Sequence, residues 1–417
     1  MENKKDFKLN WQLAALITIL LIAAGIRLYF FNVYKNQPAW WDESEHLVMA
    51  KHIAFDSPKT GWNASREILL PLIFAAALKI FNSEVFLRFL QIVFSFLVVL
   101  FTYLVGKEIF NKNIGLLAAF LMSIYHLQLF WSIRFGLEIL GPLFATAAIF
   151  FFWKGYVKKE KGYYIIIAGA LGALALMTSA KTSLVALALF FSLIFSDKFQ
   201  FLKNKQVWLT VLVAVILFSP YALYYKNTTG SFLPRAVTTA EAVTGQLEQK
   251  VWSWSNFLLF STDLVNQLTI PLFIVFLIGL VQALITLVLG FDLMFKEEKE
   301  SAKFLFILLW MLFPLLTFSY FLGITPGGYP ESRFLLEGFP AIFMLTAIGF
   351  ERIYDWIKGY RKEFAVFVIL AILFVSAILH LIIASATINA RAPSFLQVKE
   401  AAFWMKERSS SEDWIIT

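Results

Sequence analysis

Apolar runs of roughly 20 residues, the length a bilayer core requires, recur along the whole chain. No other feature narrows the fold so far. Inside lipid every backbone N–H and C=O must be satisfied by the chain itself, which leaves helices and closed barrels. Barrel strands alternate apolar and polar residues in short segments, whereas these runs are apolar throughout, so a barrel is excluded. The fold predicted is therefore an all-α polytopic membrane protein. Its mean hydropathy of +0.72 and its 15% of charged residues agree, since soluble domains carry about a quarter.

Spans are expected near residues 10–31, 84–106, 113–131, 136–153, 163–179, 182–196, 206–225, 268–291, 303–322, 333–353 and 364–386, about eleven in all. Residues 44–55 and 66–81 read as short juxtamembrane helices. The first run is long for a signal peptide's apolar region, and no small-x-small cleavage site follows it. With no cysteine present, disulfides and thiolate metal sites are excluded.

Charge orients the spans. Lysines and arginines fill the N-terminal tail and alternate short loops: Lys107 and Lys112; Lys154, Lys158, Lys159 and Lys161; Lys198, Lys203 and Lys205; Lys296, Lys299 and Lys303; Lys358, Arg361 and Lys362. The positive-inside rule makes that side cytoplasmic. The net charge of +8 is thus a topology signal and not evidence for nucleic acid. An odd span count places the C-terminus outside. The expected location is the plasma (inner) membrane, with lipids around a transmembrane unit over 1–390. The outer face then receives loop 32–83, loop 226–267 with Trp252 and Trp254 as interfacial anchors, and the tail 391–417. Within that tail, 394–408 has an amphipathic helical pattern carrying Phe395, Val398, Ala402 and Met405. Residues 413–417 look like a first strand, so the expectation is a truncated extracytoplasmic region.

The outer face also carries Trp40-Trp41-Asp42-Glu43-Ser44-Glu45-His46. Acids this dense at a membrane surface are costly near lipid and usually face a cavity or water. A catalytic floor and a merely solvated acidic loop are the two readings. As neighbours on a helix or turn, Asp42 and Glu43 point about 100° apart, so one can act while the other braces or binds. Asp42 and His46, spaced i, i+4, are either a pair of ligands for a divalent metal or an acid with its hydrogen-bonded histidine. The two tryptophans stack on a sugar or anchor the loop. Arg134, Glu138, Lys181, Glu331 and Arg333 lie at the same face, where basic-loop logic does not explain them. Arg134 with Glu138 is either functional or a local i, i+4 salt bridge; Glu84 with Arg88 reads as such a local bridge. Lys181 and Arg333 either snorkel to headgroups or bind an anion, with Arg333 suited to bidentate phosphate contact. Arg27 reads as a snorkelling residue. No Walker loop, G-x-S-x-G, H-E-x-x-H, G-x-G-x-x-G or broken-helix inverted repeat is present.

Several of these pieces resemble the GT-C glycosyltransferases, in particular the group of protein O-mannosyltransferases and lipid A aminoarabinose transferases. They are Asp42-Glu43 in the first outer loop, Pro71 and the apolar stretch to Phe81, Arg88, Ser132-Ile-Arg134 with Glu138, the stretch 173–181 ending at Lys181, and 329–340 with Arg333 and Pro340. The departures are Glu138 where many relatives have Asp, and Thr-Ser-Ala-Lys in place of Leu-Thr-Lys. Trp-Trp-Asp is also similar to a motif of oligosaccharyltransferase catalytic subunits. That motif lies in their C-terminal soluble domain, and this chain has no D-x-D in its outer loops, so the closer identity is rejected. The resemblance implies inverting transfer of a sugar from a polyprenyl-phosphate carrier to a glycan, lipid or protein acceptor outside the membrane. It implies Asp42 as general base, Glu43 and Glu138 as supporting acids, and Lys181 and Arg333 as phosphate contacts. Arg134, Glu45 and His46 are further candidate substrate-binding residues. No cofactor is certain, and a divalent metal stays open. The chief alternative is a transporter or lipid flippase, which would place its charges at mid-membrane. A polymerase or ligase of another multi-span fold would rest on a large outer loop with basic residues and a His, and loop 226–267 has no His.

Overall fold

Helix α1 (Trp11–Tyr34) is apolar on nearly every side, as a helix surrounded by lipid and protein must be. A computed structural model describes residues 11–39, 41–59, 61–232, 252–290, 299–324 and 330–410, with backbone alone at 299 and 300. Among these residues all regular structure is helical. In chain order α2 (Asp42–Phe55), α3 (Leu69–Phe81), α4 (Glu84–Ile109), α5 (Lys112–Ile124), α6 (His126–Trp131), α7 (Leu140–Phe152), α8 (Tyr163–Thr178), α9 (Ser183–Asp197) and α10 (Lys205–Thr229) follow. The second half comprises α11 (Trp254–Phe257), α12 (Leu259–Leu289), α13 (Lys299–Gly323), α14 (Phe339–Lys358), α15 (Lys362–Arg391) and α16 (Leu396–Arg408).

Nine helical stretches among the described residues are long and apolar enough to cross a bilayer. Two of the eleven expected spans account for the difference. Tyr125, extended at φ −60° and ψ 117°, splits one into α5 and α6. The other is α8, with 16 residues. The two short helices expected after the first span are α2 and α3. Tail helix α16 forms within the expected stretch, but Phe395 precedes it at φ 59° and none of its residues is buried, Val398 being 64% exposed. Trp40, Tyr329, residues 233–251 of loop 226–267 and residues 411–417 lie outside the described residues.

The central element is α14: 89% of the apolar window of its span is buried, against 6% for α10 at the rim. It crosses α12 with backbones in contact. A Cβ on Gly279 would strike the Leu345 carbonyl, and one on Gly349 the Val275 carbonyl, so glycine is required where these helices meet. Helix α12 itself kinks at Thr269 (φ 61°, ψ 154°). Pro271 two residues later lacks an N–H and its ring crowds the carbonyl one turn back.

Arg27 corrects the snorkelling expectation. Its side chain is fully buried and donates to Ser95 Oγ (2.8 Å), Gln128 Oε1 (2.8 Å) and the carbonyls of Ser123 (3.0 Å) and Ala23 (3.1 Å). The break at Tyr125 interrupts the helical hydrogen-bond ladder around Ser123, and Arg27 satisfies that carbonyl from α1. Glu84 and Arg88 also depart from expectation. Glu84 pairs with Lys51 at 2.6 Å, while Arg88 donates at 2.6 Å to the carbonyls of Ile133 and Gln37.

These contacts define two ends of the bundle. Arg88 gathers the start of α4, the segment before α7 and the loop after α1. At the other end Lys158 meets Glu108 (2.6 Å) and Asn111 meets Glu351 (3.0 Å), which joins the loops after α4 and α7 to the ends of α4 and α14. Helix α4, running about 39 Å at 1.5 Å per residue, separates them.

Candidate active site

Asp42, Glu43 and Glu45 all fall in the first turn of α2, where the unpaired N–H groups favour negative charge. The helix is entered through Trp41 at φ 54°, a costly conformation for a bulky residue. Trp41 itself is exposed. The neighbouring acids diverge as adjacent helical residues must. Asp42 turns outward with its side chain 41% exposed; Glu43 turns inward with 5%.

Asp42 meets two guanidiniums. Its Oδ1 accepts from Arg66 Nη2, and its Oδ2 accepts from Arg333 Nη1 at 3.3 Å. The same Arg333 nitrogen donates to Glu138 Oε1 at 3.2 Å, and Arg333 Nε donates to Glu331 at 2.5 Å. One guanidinium thus joins three carboxylates from three distant parts of the chain. Burial raises the Asp42 carboxyl, and the charges and hydrogen bonds of Arg66 and Arg333 outweigh it, leaving Asp42 below the usual carboxylate range. The pull comes from the two arginines alone.

Glu43 sits behind this cluster. It accepts from Arg134 Nη1 at 2.9 Å and lies 3.8 Å from Arg88 Nη1, both arginine side chains being 1% exposed. Arg88 and Arg134 each stack on a phenylalanine, Phe135 and Phe130, at 4.2 Å. At Glu43 burial wins over both arginines and pushes the carboxyl up. The i, i+4 bridge between Arg134 and Glu138 is not formed, since each has the longer-range partner given above. Arg134, a candidate for substrate contact, is a buried cation against Glu43. Glu45 binds Arg66 Nε and the Asn63 amide at 3.5 Å. His46 is buried at 1% exposure, so it does not share the exposure of Asp42.

Lys181 follows α8 in a 3₁₀ turn (Ala180–Thr182), its Nζ 3.8 Å from Glu337 and 5.2 Å from the centre of the Phe334 ring. Arg333, Phe334 and Glu337 share a second 3₁₀ turn (Ser332–Gly338) that leads into α14. Ser332 ties that turn to α12 by donating to Asp263 and accepting from Gln267 Nε2 at 2.9 Å. The kink at Thr269 sets the direction of this upper part of α12.

Of the candidate residues, Asp42, Glu138 and Arg333 are in direct contact, Lys181 joins through the 332–338 turn, and Glu43 with Arg134 forms the layer beneath. Arg66 and Glu337 were missed. Arg66 was read as the start of a short helix, though it is a lone basic residue next to the acidic loop. Glu337 was absorbed into an apolar span, although an isolated acid in such a span is itself a functional signal. Among the described residues no group of three or more His, Asp or Glu is placed to hold a metal ion. A cavity of 370 Å³ lined by Asn111, Gln282, Lys303, Glu351, Arg352 and Asp355, among others, lies at the opposite end and contains none of the candidate residues.

The arrangement of the helices is that of the GT-C fold. Residues 65–224 match the family described as dolichyl-phosphate-mannose-protein mannosyltransferase, a stretch that includes Arg66, Arg88, Arg134, Glu138 and Lys181. ArnT from Cupriavidus metallidurans, in the apo state, is similar in structure with a TM-score of 0.68 and 11% identity, over 96% of this chain and 82% of that one. The apo oligosaccharyltransferase of Archaeoglobus fulgidus is similar with a TM-score of 0.66 and 16% identity, over 97% of this chain and 59% of that one. The same archaeal enzyme, AglB, in complex with an inhibitory peptide and a dolichol-phosphate, gives a TM-score of 0.63 and 18% identity. The chain thus spans 59% of the length of the archaeal enzyme's chain. No curated protein matches it by sequence.

Proposed function

We propose that this chain is an inverting glycosyltransferase that moves a sugar from a polyprenyl-phosphate carrier to the hydroxyl of a glycan, lipid or protein acceptor. The carrying observation is that Asp42 and Glu138, far apart in sequence, share one nitrogen of Arg333 at 3.3 and 3.2 Å, with Lys181 one short turn away. The dolichol-phosphate held by the archaeal structure and the family matched over 65–224 support a lipid-phosphate donor.

In this reading the acceptor oxygen attacks the anomeric carbon from the side opposite the phosphate. A C–O bond to the acceptor forms as the C–O bond to the phosphate breaks, and the phosphate leaves with the electron pair. Asp42 takes the acceptor's proton. A phosphate needs little acid help, but the charge growing on it needs fixed cations, supplied by Arg333 and Lys181. As Arg333 turns to the phosphate it frees Asp42 Oδ2 to act as base. Glu43, with Arg88 and Arg134, braces the turn that presents Asp42.

The site belongs at the extracytoplasmic face, with eleven crossings once α5–α6 and the short α8 are counted with the nine longer stretches, the N-terminus cytoplasmic, and residues 391–417 outside. The basic loops drawn together at the opposite end support that orientation. The test is purified protein supplied with polyprenyl-phosphate sugars. Asp42→Asn keeps shape and removes basicity, so turnover falls roughly 10²–10⁴-fold with donor binding nearly kept. Normal turnover in that variant refutes Asp42 as base.

A further inference from the structure

Glu337 has no part in the chemistry above, yet it shares the 332–338 turn with Arg333. It is 2% exposed. Its backbone carbonyl accepts from Trp310 Nε1 at 2.7 Å, which fixes the turn that carries it. Its Oε1 is 3.8 Å from Lys181 Nζ, beyond hydrogen-bond range, and its Oε2 is buried without a hydrogen-bond partner. Gly141, at the start of α7, leaves room there: a Cβ would stand 3.5 Å from Glu337 Oε1 and 3.3 Å from the Thr182 methyl. A buried carboxylate with one unbonded oxygen is costly. Here it faces a cation that it attracts but does not lock.

We propose that Glu337 is the resident counter-ion of Lys181 and that its charge ejects the spent carrier. The inference rests on Lys181 being a carrier-phosphate contact. In the resting site the pair is close to neutral. Donor phosphate shares Lys181 with Glu337, so the Glu337 charge keeps its cation and stays beside the ligand. The donor is a phosphodiester with a single negative charge. The product is a phosphomonoester approaching two at neutral pH, since the second ionisation of such phosphates lies near 6. The repulsion is therefore greater for product than for donor, and it acts in a poorly screened site. Glu337 selects donor over product at a point where both present the same lipid and phosphate.

The measurement is product inhibition by polyprenyl phosphate, with donor KM and kcat, for the full chain in detergent. Glu337→Gln keeps size and removes charge. The inhibition constant is expected to fall about tenfold or more, with a smaller fall in donor KM and a lower kcat as release becomes limiting. Glu337→Asp restores the charge and the wild-type balance, which a packing role for Glu337 does not predict. An unchanged or weakened product affinity in a folded Glu337→Gln variant overturns the proposal. Lys181→Ala is the separate control: if product affinity is unaffected there, the phosphate role of Lys181 fails first.

Discussion

Replacing Glu43 separates a structural acid from a chemical one. Its carboxylate accepts from Arg134 Nη1 at 2.9 Å and lies 3.8 Å from Arg88 Nη1. Glu43→Ala removes the acceptor from a buried guanidinium, takes the nearest carboxylate from two cations and opens a cavity. Breaking a buried pair in this way costs about 3–5 kcal/mol, or two to three and a half powers of ten in the folded ratio. Glu43→Gln is different. Burial already pushes the Glu43 carboxyl up against both arginines, and the amide oxygen can still accept from Arg134. Its cost is expected to stay within about 1 kcal/mol. The raised carboxyl also fixes the sign with pH: wild-type stability declines relative to Glu43→Gln as pH rises through the folded pKa, because the unfolded chain loses its proton first. Unfolding in mixed micelles, read together with donor binding and turnover, tests all three statements. If Glu43→Gln keeps its stability and donor binding but loses turnover like Asp42→Asn, Glu43 belongs to the chemistry and the bracing role is wrong.

Arg66 and Arg333 together hold Asp42 below the usual carboxylate range, so Asp42 stays charged until pH falls below that range. Arg66→Gln removes one of the two and should move the acid limb of the kcat/KM profile to higher pH; an unmoved limb in an active variant separates Asp42 from that limb. Because the chain has no cysteine, Trp41→Cys and Tyr360→Cys, at positions 72% and 94% exposed, report topology directly. An impermeant thiol reagent on sealed cells should label position 41 and not 360, and the reverse pattern inverts the orientation. Gly349→Leu cannot be accommodated against the Val275 carbonyl and should cost folding yield; a normally folded variant would mean that α12 and α14 can part without loss.

The divergence of Asp42 and Glu43 was legible because adjacent helical residues differ in direction by geometry alone. Spans and basic loops were legible for a similar reason: lipid imposes length and charge rules on each segment separately. The acidic loop and the lone charges at Glu138, Lys181 and Arg333 stood out because apolar surroundings make every ionisable residue conspicuous. Partnership was another matter. Glu84 and Arg88, and Arg134 and Glu138, have the spacing of local salt bridges, yet each residue bonds elsewhere, since local pairs gain only tenths of a kcal/mol and buried arginines have far more to satisfy. Arg27 read as a snorkelling residue because nothing in its neighbourhood reveals that Tyr125 breaks a helix about a hundred positions on. The sequence by itself determined a helical membrane protein with a charged face. Only the tertiary structure decided which acid meets Arg333, which is buried as a brace, and which one waits beside Lys181, because those contacts depend on how distant helices pack around α14.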